Sequence, residues 1–159
     1  SLESENIKNL MDIQEISDRM EINEVLIAYA TAIDSKQYEQ LRSVFSEDAA
    51  IDFTAVGGPS GNLDTIVSYL EEALKVFPHT QHMLGNSAVQ VDGDKATSKT
   101  MCHNPMMLRN DEGNDETFFI GLWYIDDLVK TPLGWRIQTR EIELCYVYDQ
   151  PNQLNITNQ

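Results

Sequence analysis

His82 and Asp34 are the side chains best suited to taking a proton from carbon: an imidazole, with an unperturbed pKa of ~6.5, and a carboxylate able to hold one of its ring nitrogens. If Asp34 accepts the hydrogen of one nitrogen, the other nitrogen is fixed as a base. The spacing also allows a plainer reading, in which Asp34 caps the following helix and His82 is a satisfied core residue. Tyr29, one helical turn and a little more before Asp34, offers a phenol as weak acid or as donor to a carbonyl, or is simply core. His103 is a further acid or base candidate. Arg140 shares strand parity with Ile142 and Leu144; pointing inward it would need Asp34 or a substrate anion, and pointing outward it would be solvated. His79, His82 and His103 invite a metal reading, but His79 and His82 would face opposite sides of one strand, so no metal is expected.

These side chains must be positioned by helices first and strands afterwards. Ile13, Ile16, Met20, Val25, Leu26, Tyr29, Ala30 and Ile33 recur at spacings near three and four, predicting one amphipathic helix from Asp12 to Ile33 with this stripe against a core. A short helix through Tyr38, Leu41, Val44 and Phe45 follows, then a strand at Ala49 to Phe53 and a glycine-rich loop. Asn62 caps a third helix carrying Ile66, Val67, Leu70, Leu74 and Phe77, which Pro78 ends. From His82 the period becomes two, with strands to Val91, from Lys95 to Leu108, from Thr117 to Val129 and from Trp135 to Tyr148, and Asp92-Gly93 marks a hairpin. On the first of these strands His82, Leu84 and Asn86 share the inward parity. The layout is α+β: three N-terminal helices and a curved antiparallel sheet forming a cone with an open mouth. Residues 1–11 read as an extension, 12–149 as the cone domain and 150–159 as a loose polar tail. Met83, Met101, Met106 and Met107 with Phe118, Phe119, Trp123 and Trp135 suit either the lining of an apolar pocket or plain core.

The chain's 159 residues suit one domain, and 11 Lys+Arg against 26 Asp+Glu give a net charge of −15 that repels phosphate backbones and anionic lipid surfaces. Neither nucleic acid nor a membrane is an expected partner. Cys102 and Cys145 are too few for a disulfide framework. The first residues lack the pattern of a secretory signal, so the expected location is the cytoplasm. Without Gly-x-Gly-x-x-Gly, a phosphate loop or Gly-x-Ser-x-Gly, the usual support for a dinucleotide, a nucleotide or a serine nucleophile is missing, and no cofactor is expected.

The segments Tyr29-Ala30-Thr31-Ala32-Ile33-Asp34-Ser35-Lys36, Leu41-Arg42-Ser43-Val44-Phe45, Ile51-Asp52-Phe53, Thr80-Gln81-His82-Met83-Leu84-Gly85-Asn86 and Val91-Asp92-Gly93-Asp94-Lys95-Ala96 resemble the SnoaL-like branch of the nuclear-transport-factor-2-like superfamily. Within it the pattern is similar to that of scytalone dehydratases, and also to bile-acid dehydratases and hexachlorocyclohexane dehydrochlorinases. The resemblance implies a cofactor-free lyase acting on a small apolar substrate, with Asp34 and His82 as the dyad, Tyr29 as the cavity tyrosine, His103 as a second histidine and Arg140 as a strand arginine. It implies that Phe53 and Ile120 stand where the dehydratases bind substrate through a tyrosine and an asparagine, so two polar groups are missing. It also implies a homo-oligomer, dimer or trimer. A ketosteroid- or polyketide-type isomerase uses the same base, and a noncatalytic binding module uses the same pocket.

Overall fold

The computed structural model describes residues 10–154 and 156. Helix α1 spans Ile13–Asp34 and starts where the Asp12 side chain accepts the Glu15 N–H at 2.7 Å, a side-chain N-cap. Its buried residues are Asp18, Ile22, Leu26, Tyr29, Ala30, Ala32 and Ile33. The predicted stripe is therefore only half right: Ile13, Ile16 and Met20, with Ile27, stay exposed on the other side. This helix is apolar on two faces, and spacing alone could not say which one the sheet takes. Asp18 marks the choice. Its Oδ1 accepts from Lys130 Nζ at 2.7 Å, Trp135 Nε1 at 2.9 Å and Gln14 Nε2 at 3.2 Å, pinning the start of α1 to the sheet, and these donors, Lys130 foremost, hold its carboxyl below the ordinary range.

The expected second helix is a 3-10 turn, Tyr38–Ser43, and it leads into strand β1, Phe45–Asp52, which begins four residues before the predicted start. The two-residue β2, Ser60–Gly61, precedes helix α2, Leu63–Ala73, capped by Asn62 as expected. β3 (His79–Thr80), β4 (Met83–Asp92), β5 (Lys95–Arg109), β6 (Asp115–Thr131) and β7 (Gly134–Tyr148) complete the sheet. Gly93, at φ 60°, takes the left-handed turn position between β4 and β5.

The strand order is β2-β1-β7-β6-β5-β3, with β4 also paired to β5. All pairs are antiparallel except β1 with β7, which is parallel. The α+β cone architecture expected from the order of elements is thus present: a curved, unclosed sheet folded around α1 and α2. On β5, Ala96, Ser98, Thr100, Cys102, Asn104, Met106 and Leu108 point inward and the odd-numbered residues point out. β3 and β4 lie end to end along the same edge of β5, and Pro105 faces the break between them; it has no N–H for the ladder, while its carbonyl accepts the Gln81 N–H at 3.0 Å. Of the expected tail, residues 155 and 157–159 lie outside the described residues. Pro151 is buried, and Leu154 and Ile156 pack against the core because they meet an apolar opening there. Of the expected extension, Leu10 and Met11 are exposed and residues 1–9 lie outside the described residues.

Candidate functional site

Asp34 is the last residue of α1, where the unsatisfied carbonyls of the helix end disfavour a negative charge. It is held there by three donors from one short segment. Thr80 Oγ1 donates to Oδ1 at 2.9 Å, the His82 backbone N–H donates to Oδ2 at 2.8 Å, and His82 Nδ1 lies 2.6 Å from Oδ1. Burial works against the charge of Asp34, but the hydrogen bonds and charge of His82, with Thr80, outweigh it and hold the carboxyl below its ordinary range. A carboxylate accepts only, so Nδ1 carries the hydrogen and Nε2 of the neutral ring is an acceptor.

His82 occupies the break between β3 and β4 rather than the strand itself. Thr80 pairs with Met106 and Met83 with His103, which brings His82 beside Asn104. Asn104 Nδ2 is 3.2 Å from His82 Nε2, and Asn104 Oδ1 is buried without a hydrogen-bond partner among the described residues. The inward parity expected beyond His82 ends quickly: the ladder shifts between Leu84 and Ser87, so Leu84 packs on the core while Asn86 is exposed and Val89 and Val91 turn inward.

His82 and Asn104 open onto a cavity of about 280 Å³. Its other walls are mostly apolar and aromatic, including Ile33, Phe53, Leu70, Phe77, Met106, Phe118, Ile120 and Leu122, with Tyr29 and Tyr124 at one side. Phe77 and Phe118 meet at 6.0 Å between centroids, and Tyr29 stands edge-on to His82 at 6.5 Å and to Tyr124 at 5.4 Å. Burial raises the pKa of both phenols, with the charge of Arg140 opposing it, so both are neutral donors near pH 7. Burial also pushes the Cys102 thiol up to about 12, which leaves it a thiol and a poor nucleophile. The volume suits a molecule of one or two rings.

A model of the SnoaL-like domain matches residues 14–141, which is most of the chain. This chain belongs to the SnoaL-like family. An uncharacterised protein of Mycobacterium tuberculosis (strain ATCC 25618 / H37Rv) is 44% identical over 139 residues, covering 87% of this chain and 93% of the relative. Among solved structures, a candidate scytalone dehydratase from Novosphingobium aromaticivorans superposes with a TM-score of 0.79 at 17% identity, covering 92% of this chain and 97% of that one. A hexachlorocyclohexane dehydrochlorinase, LinA-type3, from Novosphingobium barchaimii LL02 gives 0.75 at 15% identity, covering 89% and 96%. At these identities the structural likeness is one of fold.

On this SnoaL-like frame the structure brings His82, Asp34 and Tyr29 together and sets Phe53 and Ile120 in the cavity wall. It does not bring His103 there. His103 is on the outer face of β5, stacked on Phe119 at 5.5 Å with its Nδ1 2.8 Å from the Tyr146 hydroxyl, because odd-numbered residues of β5 point away from the cavity. Met101 faces outward for the same reason and is 41% exposed. Met83, Met107, Phe119 and Trp123 do not line the cavity either, and Trp135 serves the Asp18 anchor; only Met106 and Phe118 of the expected lining do so.

Arg140 is neither solvated nor paired with Asp34 or the cavity. It lies directly across from Asp126 on β6 and grips it through Nε and Nη2, each at 2.7 Å, both side chains fully buried. The rings of Tyr29 and Tyr124 face the guanidinium at 4.1 Å each. Burial disfavours its charge, but Asp126 outweighs this and raises the pKa of Arg140 above its ordinary value. Sequence reasoning missed Asn104, Tyr124, Thr80 and Asp126. For Asn104 a signal existed: the apolar alternation Ala96, Cys102, Met106, Leu108 places even-numbered residues inside, and Asn104 with them.

Proposed function

We propose that this SnoaL-like protein is a cofactor-free lyase, in which His82 Nε2, oriented by Asp34 through Nδ1, removes a proton from carbon beside a carbonyl of a small, largely apolar cyclic molecule. The observation that carries this reading is the 2.6 Å contact between His82 Nδ1 and a carboxylate kept charged, in a histidine that lines the cavity beside Asn104. Tyr29 and Tyr124, neutral phenols on the cavity wall, supply donors for the oxyanion that forms as the proton leaves. The structural likeness to proteins named as a candidate dehydratase and a dehydrochlorinase is consistent with elimination. An isomerase would use the same base and differ only in where the proton returns.

The test is proton NMR in deuterated water with 3-hydroxycyclohexanone, which would lose water, and 3-cyclohexenone, which would only move its double bond. Exchange of the proton next to the carbonyl that falls by ~10²-fold or more in His82→Gln supports the reading. Exchange no faster than in buffer with both ketones, or unchanged in His82→Gln, would leave a binding module. A homo-oligomer belongs to the same proposal, since Met83, Met101, Tyr146 and Tyr148 leave exposed apolar surface on the outer face of the sheet. Light scattering at micromolar concentration checks it: a dimer or trimer is expected, and a monomer would contradict it.

A further inference from the structure

The side chain of Asn104, 4% exposed, has one hydrogen-bond contact among the described residues, between Nδ2 and His82 Nε2 at 3.2 Å, and its Oδ1 has none. With Asp34 taking the hydrogen on Nδ1, Nε2 of the neutral ring offers a lone pair only, so the amide presents its donor there. That arrangement suits the resting base alone. Once Nε2 takes up a proton it becomes a donor, and two N–H groups face one another across the same gap. A half-turn of the amide about its Cβ–Cγ bond removes the conflict, because it exchanges Nδ2 for Oδ1 at nearly the same place. The turn breaks no bond that protonation has not already broken, since Oδ1 has no partner among the described residues to lose. It also leaves the cavity wall unchanged in shape, the two ends of the amide being nearly equal in size.

We infer that Asn104 is a positioning residue serving both protonation states of His82: Nδ2 donates to the neutral ring and, with the amide turned over, Oδ1 accepts from the Nε2–H of the protonated ring. This rests on the proton abstraction proposed above and adds what holds the proton once it is taken. When the carbon proton moves to Nε2, the C–H electron pair forms a C=C bond and the carbonyl π pair moves to its oxygen. The ring is then a cation with two hydrogens to place. Asp34 holds the one on Nδ1 and Asn104 Oδ1 the other, until the proton returns to the ligand or to its leaving group. A hydrogen bond from a charged donor is about twice as strong as the neutral one it replaces, so the amide stabilises the imidazolium more than the imidazole. The oxygen left without a partner at rest is the acceptor for the state that forms during the reaction.

Among the described residues, the titratable groups around His82 and its cavity keep one form near neutral pH. From α1, Asp34 is held as a carboxylate and Tyr29 as a phenol; Tyr69 of α2 and Tyr124 of β6 are phenols raised by burial, and Cys102 of β5, pushed up to about 12 by burial, is a thiol. NMR of wild-type protein labelled with nitrogen-15 and carbon-13, without ligand, therefore reads the amide directly. While the His82 ring is neutral, a coupling across the hydrogen bond should connect Asn104 Nδ2 with His82 Nε2. Where the ring nitrogens report protonation, that coupling should vanish and one between His82 Nε2 and Asn104 Cγ should replace it. Absence of the first coupling, or a protonated ring without the second, would overturn the inference. Asn104→Leu keeps the bulk and loses both ends of the amide. It should slow exchange of the proton next to the carbonyl of 3-cyclohexenone by about 10-fold, with a thermal melt no lower than that of wild type. Unchanged exchange in this variant would equally overturn the inference. If wild-type protein exchanges neither ketone, the lyase reading fails, while the couplings still decide what the amide does.

Discussion

Asp34 with His82 and Asp126 with Arg140 are two carboxylates each joined to a basic side chain inside one cone, and they stand at opposite ends of what such a pair can do. Arg140 gives Nε and Nη2 to Asp126 and lies over the rings of Tyr29 and Tyr124, with 1% and 0% of the Arg140 and Asp126 side chains exposed, and its Nη1 is buried without a hydrogen-bond partner among the described residues. It is sealed from the cavity that His82 lines. His82 gives Asp34 only one of its two nitrogens, and the other lies 3.2 Å from the Asn104 amide at the wall of the cavity. A fork that must be satisfied on one side makes a structural rivet, while a ring with two separate nitrogens can be anchored through one and reactive through the other.

Breaking each pair should therefore give opposite phenotypes. His82→Gln should lower turnover of any substrate by ~10²–10⁴-fold and leave stability within about 1 kcal/mol, measured by steady-state rates and urea unfolding. Arg140→Met should cost about 3–5 kcal/mol of stability because Asp126 is left buried and unpaired, and adding Asp126→Leu should recover most of it. If Arg140→Met unfolds no more easily than wild type, the rivet reading is wrong. A smaller effect separates the pairs by pH. The pKa of Asp34 is lowered in the folded state, so its contribution to stability is complete above about pH 4 and is lost as pH falls through its folded value. The stability difference between wild type and Asp34→Asn should accordingly narrow in acid unfolding curves below about pH 4. Asn104→Leu should be no less stable than wild type and up to about 1 kcal/mol more stable, since it removes an unpartnered buried oxygen. Smallest of all, His103→Ala on the outer face should change turnover by less than ~2-fold and stability by about 0.5 kcal/mol or less.

The contrast also explains what was legible beforehand. Asp34 and His82 could be read because each sits at an element boundary that the sequence marks: the end of a long helical period and the start of an alternating one. The parity of Arg140 with Ile142 and Leu144 left both an inward and an outward, solvated side chain open, and its partner could not be read. Asp126 faces it only through the register of β6 against β7, and no local pattern encodes that register. His103 and Met101 were candidates by residue type, whereas the alternation of small and apolar residues along β5 already placed them outside and Asn104 inside. The shift between Leu84 and Ser87 changed the face of Asn86, and a bulge has no reliable sequence signature when its residues are Gly85 and Asn86 among ordinary strand formers. For α1 the difficulty was an excess of signal, with apolar residues on both sides and a buried Asp18 deciding the face.

Nitrogen-15 NMR of the His82 ring measures the claim on which all of this depends. With ring-labelled histidine and His82→Gln used for assignment, the neutral ring should carry its proton on Nδ1 with Nε2 unprotonated, and Asp34→Asn should weaken or reverse that preference. A neutral ring protonated at Nε2, or a tautomer indifferent to Asp34→Asn, would mean that the carboxylate does not set the base.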